Sequence, residues 1–229
     1  MPNDLVRNTN LKLAQWNNDD NCNFYESIGR TLQEWAITGG LENGCDIEII
    51  YPRIADKTSI MELGASYGRA IRNILRRNYK GKLYAIERSM SFYNQLLTQF
   101  GNKSVDIIHA DVKTFTLNIK VDVILMLWSF ISEFPKCDQL PILKKITSWL
   151  NPGGIVVLET IFHALAPSNA NFSKDQNYII PFEHSNCYGY ATSPQETEEY
   201  AKQLGAKNIT HINYKTDTQR DRVLHILSW

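Results

Sequence analysis

From about residue 57 onward, short β-branched and apolar runs alternate with segments of helical periodicity, and this alternation constrains the fold more than any other feature of the chain. It predicts a parallel sheet wrapped by helices on both faces. Residues 59–63 read as a first strand, and residues 69–79 carry Ile71, Ile74 and Leu75 at helical spacing behind it. Residues 82–87 give a second strand, followed over 89–100 by a helix with a serine cap and a stripe of Phe92, Leu96 and Leu97. Residues 105–109 give a third strand. The nearly unbroken apolar run 121–128 marks a fourth that is central and covered on both sides.

A helix over 138–150, with Leu140, Leu143, Ile146 and Leu150 on one face, ends at Asn151-Pro152-Gly153-Gly154 before a fifth strand at 155–161. Residues 162–193 show no sustained period and read as a long functional loop. Ser193-Pro194-Gln195-Glu196 then has the form of a capping box opening a helix that stops at Gly205. Residues 208–214 and 222–227 read as a closing hairpin. The expected fold is therefore α/β: a Rossmann-like, seven-stranded mixed sheet with helices on both faces and a C-terminal antiparallel hairpin. In the first 56 residues, Phe24, Ile28, Leu32 and Trp35 stripe one helix ending at Gly39-Gly40, after a polar arm that contains Trp16. The expected division is a helical cap over 1–56 and a sheet domain over 57–229.

Composition narrows the function. With 229 residues the chain has room for one large domain or a core with an appendage, and 24 basic residues balance 24 acidic ones, so nothing global draws it to nucleic acid or an anionic membrane. The longest uncharged apolar stretch falls well short of the roughly 20 residues of a membrane helix. The N-terminus shows no signal-peptide pattern, which leads to the expectation of a cytoplasmic protein. Cys22, Cys45, Cys137 and Cys187 stand far apart, and such spacing favours small buried hydrophobes over zinc ligands; no metal site is expected.

Chemistry gathers at the strand ends. Glu62-Leu63-Gly64-Ala65-Ser66-Tyr67-Gly68 is a strand-to-helix turn whose glycines let backbone approach a ligand. Glu87 ends the second strand, where a carboxylate can accept from both hydroxyls of a ribose. Asp111 follows the third strand at the same sheet edge, with an acceptor suited to an adenine amino group.

In these residues, together with Pro152-Gly153-Gly154 and the final two strands, the chain resembles the class I S-adenosylmethionine-dependent methyltransferases over about residues 57–229. It departs from that pattern at Ser66, where the family's middle glycine stands, and at Ala65. The resemblance implies S-adenosylmethionine as cofactor, with Gly64, Ala65, Ser66 and Gly68 lining its methionine and ribose and Glu62 supporting its amino group. It implies Glu87 on the ribose hydroxyls, Arg88 against the adenine, Asp111 and the Val112 amide on the adenine edge, and Leu127 and Trp128 beside the sulfonium.

The function expected on this footing is in-line methyl transfer to a small molecule, in which holding donor and acceptor in line is the main catalytic task. His163, just past the fifth strand, is the best-placed histidine for the substrate pocket, with His184 behind it; a loop histidine without duty is the plainer reading of both. Tyr178, Phe182, Tyr188 and Tyr190 can wall a substrate or pin the loop. Arg69, Arg72, Arg76, Arg77, Lys80 and Lys82 read as a solvated helix face, and Glu133 as a loop carboxylate. A protein or RNA methyltransferase, and a cofactor-binding protein without turnover, stay open as alternatives.

Overall fold

A computed structural model of the protein describes residues 16–28, 31–160, 170–182 and 185–229. Its main sheet has seven strands: β1 (Ser59–Leu63), β2 (Lys82–Glu87), β3 (Val105–His109), β4 (Val121–Met126), β5 (Leu150–Thr160), and the later pair β9 (Asn208–Lys215) and β10 (Asp221–Ser228). They lie in the order β3-β2-β1-β4-β5-β10-β9, the first five parallel and β10 antiparallel to both neighbours. The expected seven-stranded mixed sheet with its terminal hairpin is therefore present. The order reverses direction between β1 and β4, so the connections after them leave on opposite sides and open a crevice at the carboxyl ends of the strands.

Alternation along the central strands decides which face each side chain enters. Ile60, Val123 and Leu125 join a core with helices α3 (Cys45–Ile54), α4 (Arg69–Arg76) and α5 (Met90–Phe100). Met61, Ile124 and Met126 join the opposite core with α6 (Lys136–Thr147) and α7 (Pro194–Gln203). Local signals act as expected at two helix starts. Ser89 caps α5 by accepting from the Phe92 N–H, and Ser193 and Glu196 form the reciprocal capping box of α7.

The stripe Phe24, Ile28, Leu32 and Trp35 lies on α1 (Cys22–Ile28) and α2 (Thr31–Gly39), which bury their apolar side in one cluster. Two regions differ from the expectation. Within the expected loop 162–193, the described residues build a small antiparallel sheet of β6 (Asn171–Phe172), β7 (Asn177–Pro181) and β8 (Asn186–Tyr190). Its polar composition hides the strands because they bury only part of their length, with Trp16 stacked 6.2 Å from Tyr188. Finally, β4 stops at Met126, two residues before the expected end, because Trp128 and Ser129 adopt left-handed backbone with φ of 50° and 64°. Among the described residues no helix is long and apolar enough to cross a membrane. Cys187 alone of the four free cysteines is buried, and Cys137 is exposed, so the expectation of four buried thiols is corrected.

Candidate active site

Above the carboxyl ends of β1, β2 and β4 lies a cavity of about 430 Å³, roofed by α1, α2 and β7. Glu62, Gly64, Ala65, Ser66, Glu87, Arg88, Asp111, Val112, Leu127 and Trp128 all line it. The three strand ends singled out in the sequence therefore converge on one hollow. Gly68 does not reach the wall. It precedes α4 with φ 84°, and a side chain there would strike Phe100, so its glycine serves the packing of α4 on α5.

The turn after β1 is shaped by what it must place. Gly64 has φ 67°, and a Cβ there would overlap the Phe130 ring. Ser66 holds φ 50°, a left-handed conformation that costs a non-glycine residue roughly 1–2 kcal/mol. The strained turn aims the Ser66 N–H at Glu87 Oε2, 2.7 Å away, while Glu87 Oε1 accepts from the Ser89 N–H at 2.7 Å. Burial raises the Glu87 carboxyl above its ordinary value, and these backbone donors oppose that shift. Each oxygen keeps a further acceptor position for a ligand. Gly64→Ala is expected to destabilise the protein by about 1–3 kcal/mol in urea unfolding, and to lose ligand binding with it; unchanged stability would contradict the overlap.

Asp111 Oδ1 accepts from the Lys113 N–H at 2.7 Å, and its Oδ2 lies 3.5 Å from Arg88 Nη1. The Arg88 guanidinium also reaches the backbone and side chain of Asn18 and the carboxylate of Asp19, which ties the polar N-terminal arm to the cavity rim. Arg88 is thus a strut between cap and sheet as well as a wall residue. The Val112 N–H makes no hydrogen bond among the described residues.

Glu62 is buried at the cavity floor, and its Oε2 has no hydrogen-bond partner among the described residues. Burial pushes its carboxyl up to about 8 against the pull of Arg69. An orphaned buried carboxylate oxygen is costly unless something fills the place beside it, and a ligand ammonium is the group that would.

Several residues that shape the cavity were missed or misread in the sequence. Arg69 is not part of a solvated face: it is buried and forms a two-point pair with Asp46 of α3, at 2.8 and 2.6 Å. Arg72 pairs with Glu42 at 2.5 Å, and Arg77 bonds the Asn73 carbonyl, while Arg76 and Lys80 are solvent-exposed. Glu159, fully buried at the end of β5, accepts from the Trp128 N–H at 2.7 Å and pairs with Arg222 at 2.8 Å, which fixes the left-handed turn after β4. Glu133, read as an ordinary loop carboxylate, lines the cavity and accepts from Tyr25 Oη at 2.5 Å. Only a fold that returns α1 and β10 to the crevice brings these partners together, so no local signal marks them. Of the aromatic residues, Tyr178 and Phe182 line the cavity, whereas Tyr188 and Tyr190 pack with Trp16 away from it. His163 and His184 lie outside the described residues.

Residues 60–154 match a family described as a methyltransferase domain. Over these residues, about two-fifths of its length, the chain is similar to that family. Solved structures with this fold include the CcbJ methyltransferase from Streptomyces caelestis, 14% identical with a TM-score of 0.68, covering 89% of this chain and 96% of that one. The 1,6-didemethyltoxoflavin-N1-methyltransferase of Burkholderia thailandensis is 11% identical with a TM-score of 0.67, over 92% of this chain and 87% of that one. S-adenosylmethionine-bound CalS10, an amino pentose methyltransferase from Micromonospora echinaspora, is 13% identical with a TM-score of 0.63, over 86% and 96%. No curated protein matches the chain by sequence. At these identities the likeness is one of fold, and the site must be argued from this chain's own residues.

Proposed function

We propose that this protein is a cytoplasmic enzyme that transfers a methyl group from S-adenosylmethionine to a small molecule, with residues 1–56 as a cap and 162–193 contributing to the substrate side. The observation that carries this reading is the convergence of the Gly64 turn, Glu87 and Asp111 on one cavity whose floor holds a Glu62 carboxylate oxygen that has no partner among the described residues. These groups fit the cofactor. Glu87 would accept from the ribose hydroxyls, Asp111 and the Val112 N–H would meet the adenine edge, and Glu62 Oε2 would accept from the amino group. Gly64, Ala65 and Ser66 would give the methionine chain a wall of backbone, with Leu127 and Trp128 along its side.

When bound, S-adenosylmethionine supplies a methyl group already activated on a sulfonium. The chain's remaining work is orientation and exclusion of water, for which the aromatic roof over the cavity is suited. The pairing of Arg69 and Arg72 with Asp46 and Glu42 removes the centre of the basic face that docking of RNA would need, and supports a small acceptor.

Calorimetry with S-adenosylhomocysteine tests this reading through Glu62. Its carboxyl titrates near 8 in the free protein, and an ammonium beside it favours the ionised form, so binding at about pH 7 should release a proton. The binding enthalpy should then depend on the buffer's heat of ionisation, and Glu62→Gln should abolish that dependence. Absence of binding would refute the reading, and a buffer-independent enthalpy would refute the role of Glu62. The same shift lowers stability of the free protein as pH rises. Between the ordinary value of 4.5 and about 8 the folded state holds a proton that the unfolded state has lost.

A further inference from the structure

Glu133 stands on the roof side of the cavity, on the 3-10 turn Phe130–Glu133 that follows β4. Tyr25 of α1 donates to its Oε1 at 2.5 Å, and its Oε2 has no hydrogen-bond partner among the described residues. No Lys or Arg of the described residues lies within ion-pair distance of this carboxylate. Arg88, which acts on it electrostatically, is engaged with Asn18, Asp19 and Asp111. The ring of its partner Tyr25 meets Phe24 at 5.0 Å, and the rings of Phe24, Trp35 and Phe182 pack against one another with centroids 5.1–5.9 Å apart, all three lining the same cavity. A carboxylate with no cation paired to it among the described residues, in a cavity that aromatic rings also line, is complementary to a positively charged amine on an apolar frame.

We propose that the methyl acceptor is a primary or secondary amine carried on an apolar or aromatic frame, that its nitrogen sits at Glu133 Oε2, and that Glu133 takes its proton. This rests on the methyl-transfer reading above. The amine arrives as an ammonium, which has no lone pair to attack with. Its N–H bond breaks with the electron pair left on nitrogen, and the proton forms an O–H bond on Glu133, so the ammonium and the carboxylate both become neutral. Tyr25 holds one oxygen so that the other stays directed to the ligand. Burial, aided by the negative charge of Glu87, places the Glu133 carboxyl at about 7, against the lowering effects of the Tyr25 bond and Arg88. The other titratable groups coupled to it are Tyr178 of β7 and Cys187 of β8, both pushed up by burial and neutral near pH 7.

The test is calorimetry of the full chain, saturated with S-adenosylhomocysteine, against 2-phenylethylamine and its uncharged counterpart 2-phenylethanol. The amine should bind at least about tenfold more tightly than the alcohol, Glu133→Gln should remove that preference, and S-adenosylhomocysteine should bind the variant as it binds wild type. Amine affinity should rise from about pH 6 to about pH 8 as Glu133 ionises. Tyr25→Phe should fold and shift that rise to higher pH, because the lost bond favours the ionised form. Equal affinity for amine and alcohol, no amine binding, or a pH profile unmoved by either substitution would overturn the proposal while leaving the cofactor reading intact. Loss of S-adenosylhomocysteine binding by wild type would instead strike the reading on which it rests.

Discussion

Replacing Glu87 with Ala is expected to weaken S-adenosylhomocysteine binding by about 100-fold, which corresponds to about 2.7 kcal/mol. The carboxylate does two things at once. It gathers the Ser66 and Ser89 N–H groups at 2.7 Å each, and it presents acceptor positions to the cavity. Its removal leaves the left-handed Ser66 without the bond that offsets its strain, so the turn relaxes as the ligand contact is lost. Hydrogen bonds to charged groups contribute about 1.5–3 kcal/mol each, which sets the scale of the loss. Glu87→Gln should fall between, since its amide NH₂ must face one of two backbone donors. Calorimetry on both variants checks this, and an alanine variant within about twofold of wild type would show that Glu87 does not touch the ligand.

Arg69→Met should lower the free energy of unfolding by about 3–5 kcal/mol, because it strands Asp46 as an unpaired charge in an interior position. Asp46 is 0% exposed and Arg69 4%, and the pair joins α3 to α4 beneath the cavity. The double variant Asp46→Leu with Arg69→Met should recover most of that loss, since both charges are then removed and the volume stays apolar. Urea unfolding of wild type, each single variant and the double variant completes the cycle. A single Arg69→Met change costing less than about 1 kcal/mol would show that the pair is not structurally coupled. Arg69 also lies 5.9 Å from the Trp128 ring centroid, so the single variant should loosen the turn after β4 as well as the cap.

The sheet was legible because its signals are local. A strand buried on both faces must be nearly all apolar, as residues 121–126 are, and the helices between strands must keep one apolar stripe. The strand-end half of the cavity was legible for a related reason: in a parallel sheet the end of each strand meets the same crevice, so Gly64, Glu87 and Asp111 are brought together by topology alone. Gly68 shows the limit of that logic. It carries the motif's spacing but turns toward Phe100, and a motif cannot say which of its glycines faces ligand and which faces protein.

By itself the sequence determined the alternating architecture, the strand ends and the caps of α5 and α7, because each depends on residues within one or two turns of each other. Only the tertiary structure decided the other half of the cavity. Glu133 meets Tyr25 across 108 positions, Arg222 meets Glu159 across 63, and Arg69 meets Asp46 across 23. The charge of such a residue reads as solvated until the fold removes water from around it, and desolvation is a property of the packed interior that no local stretch of chain carries.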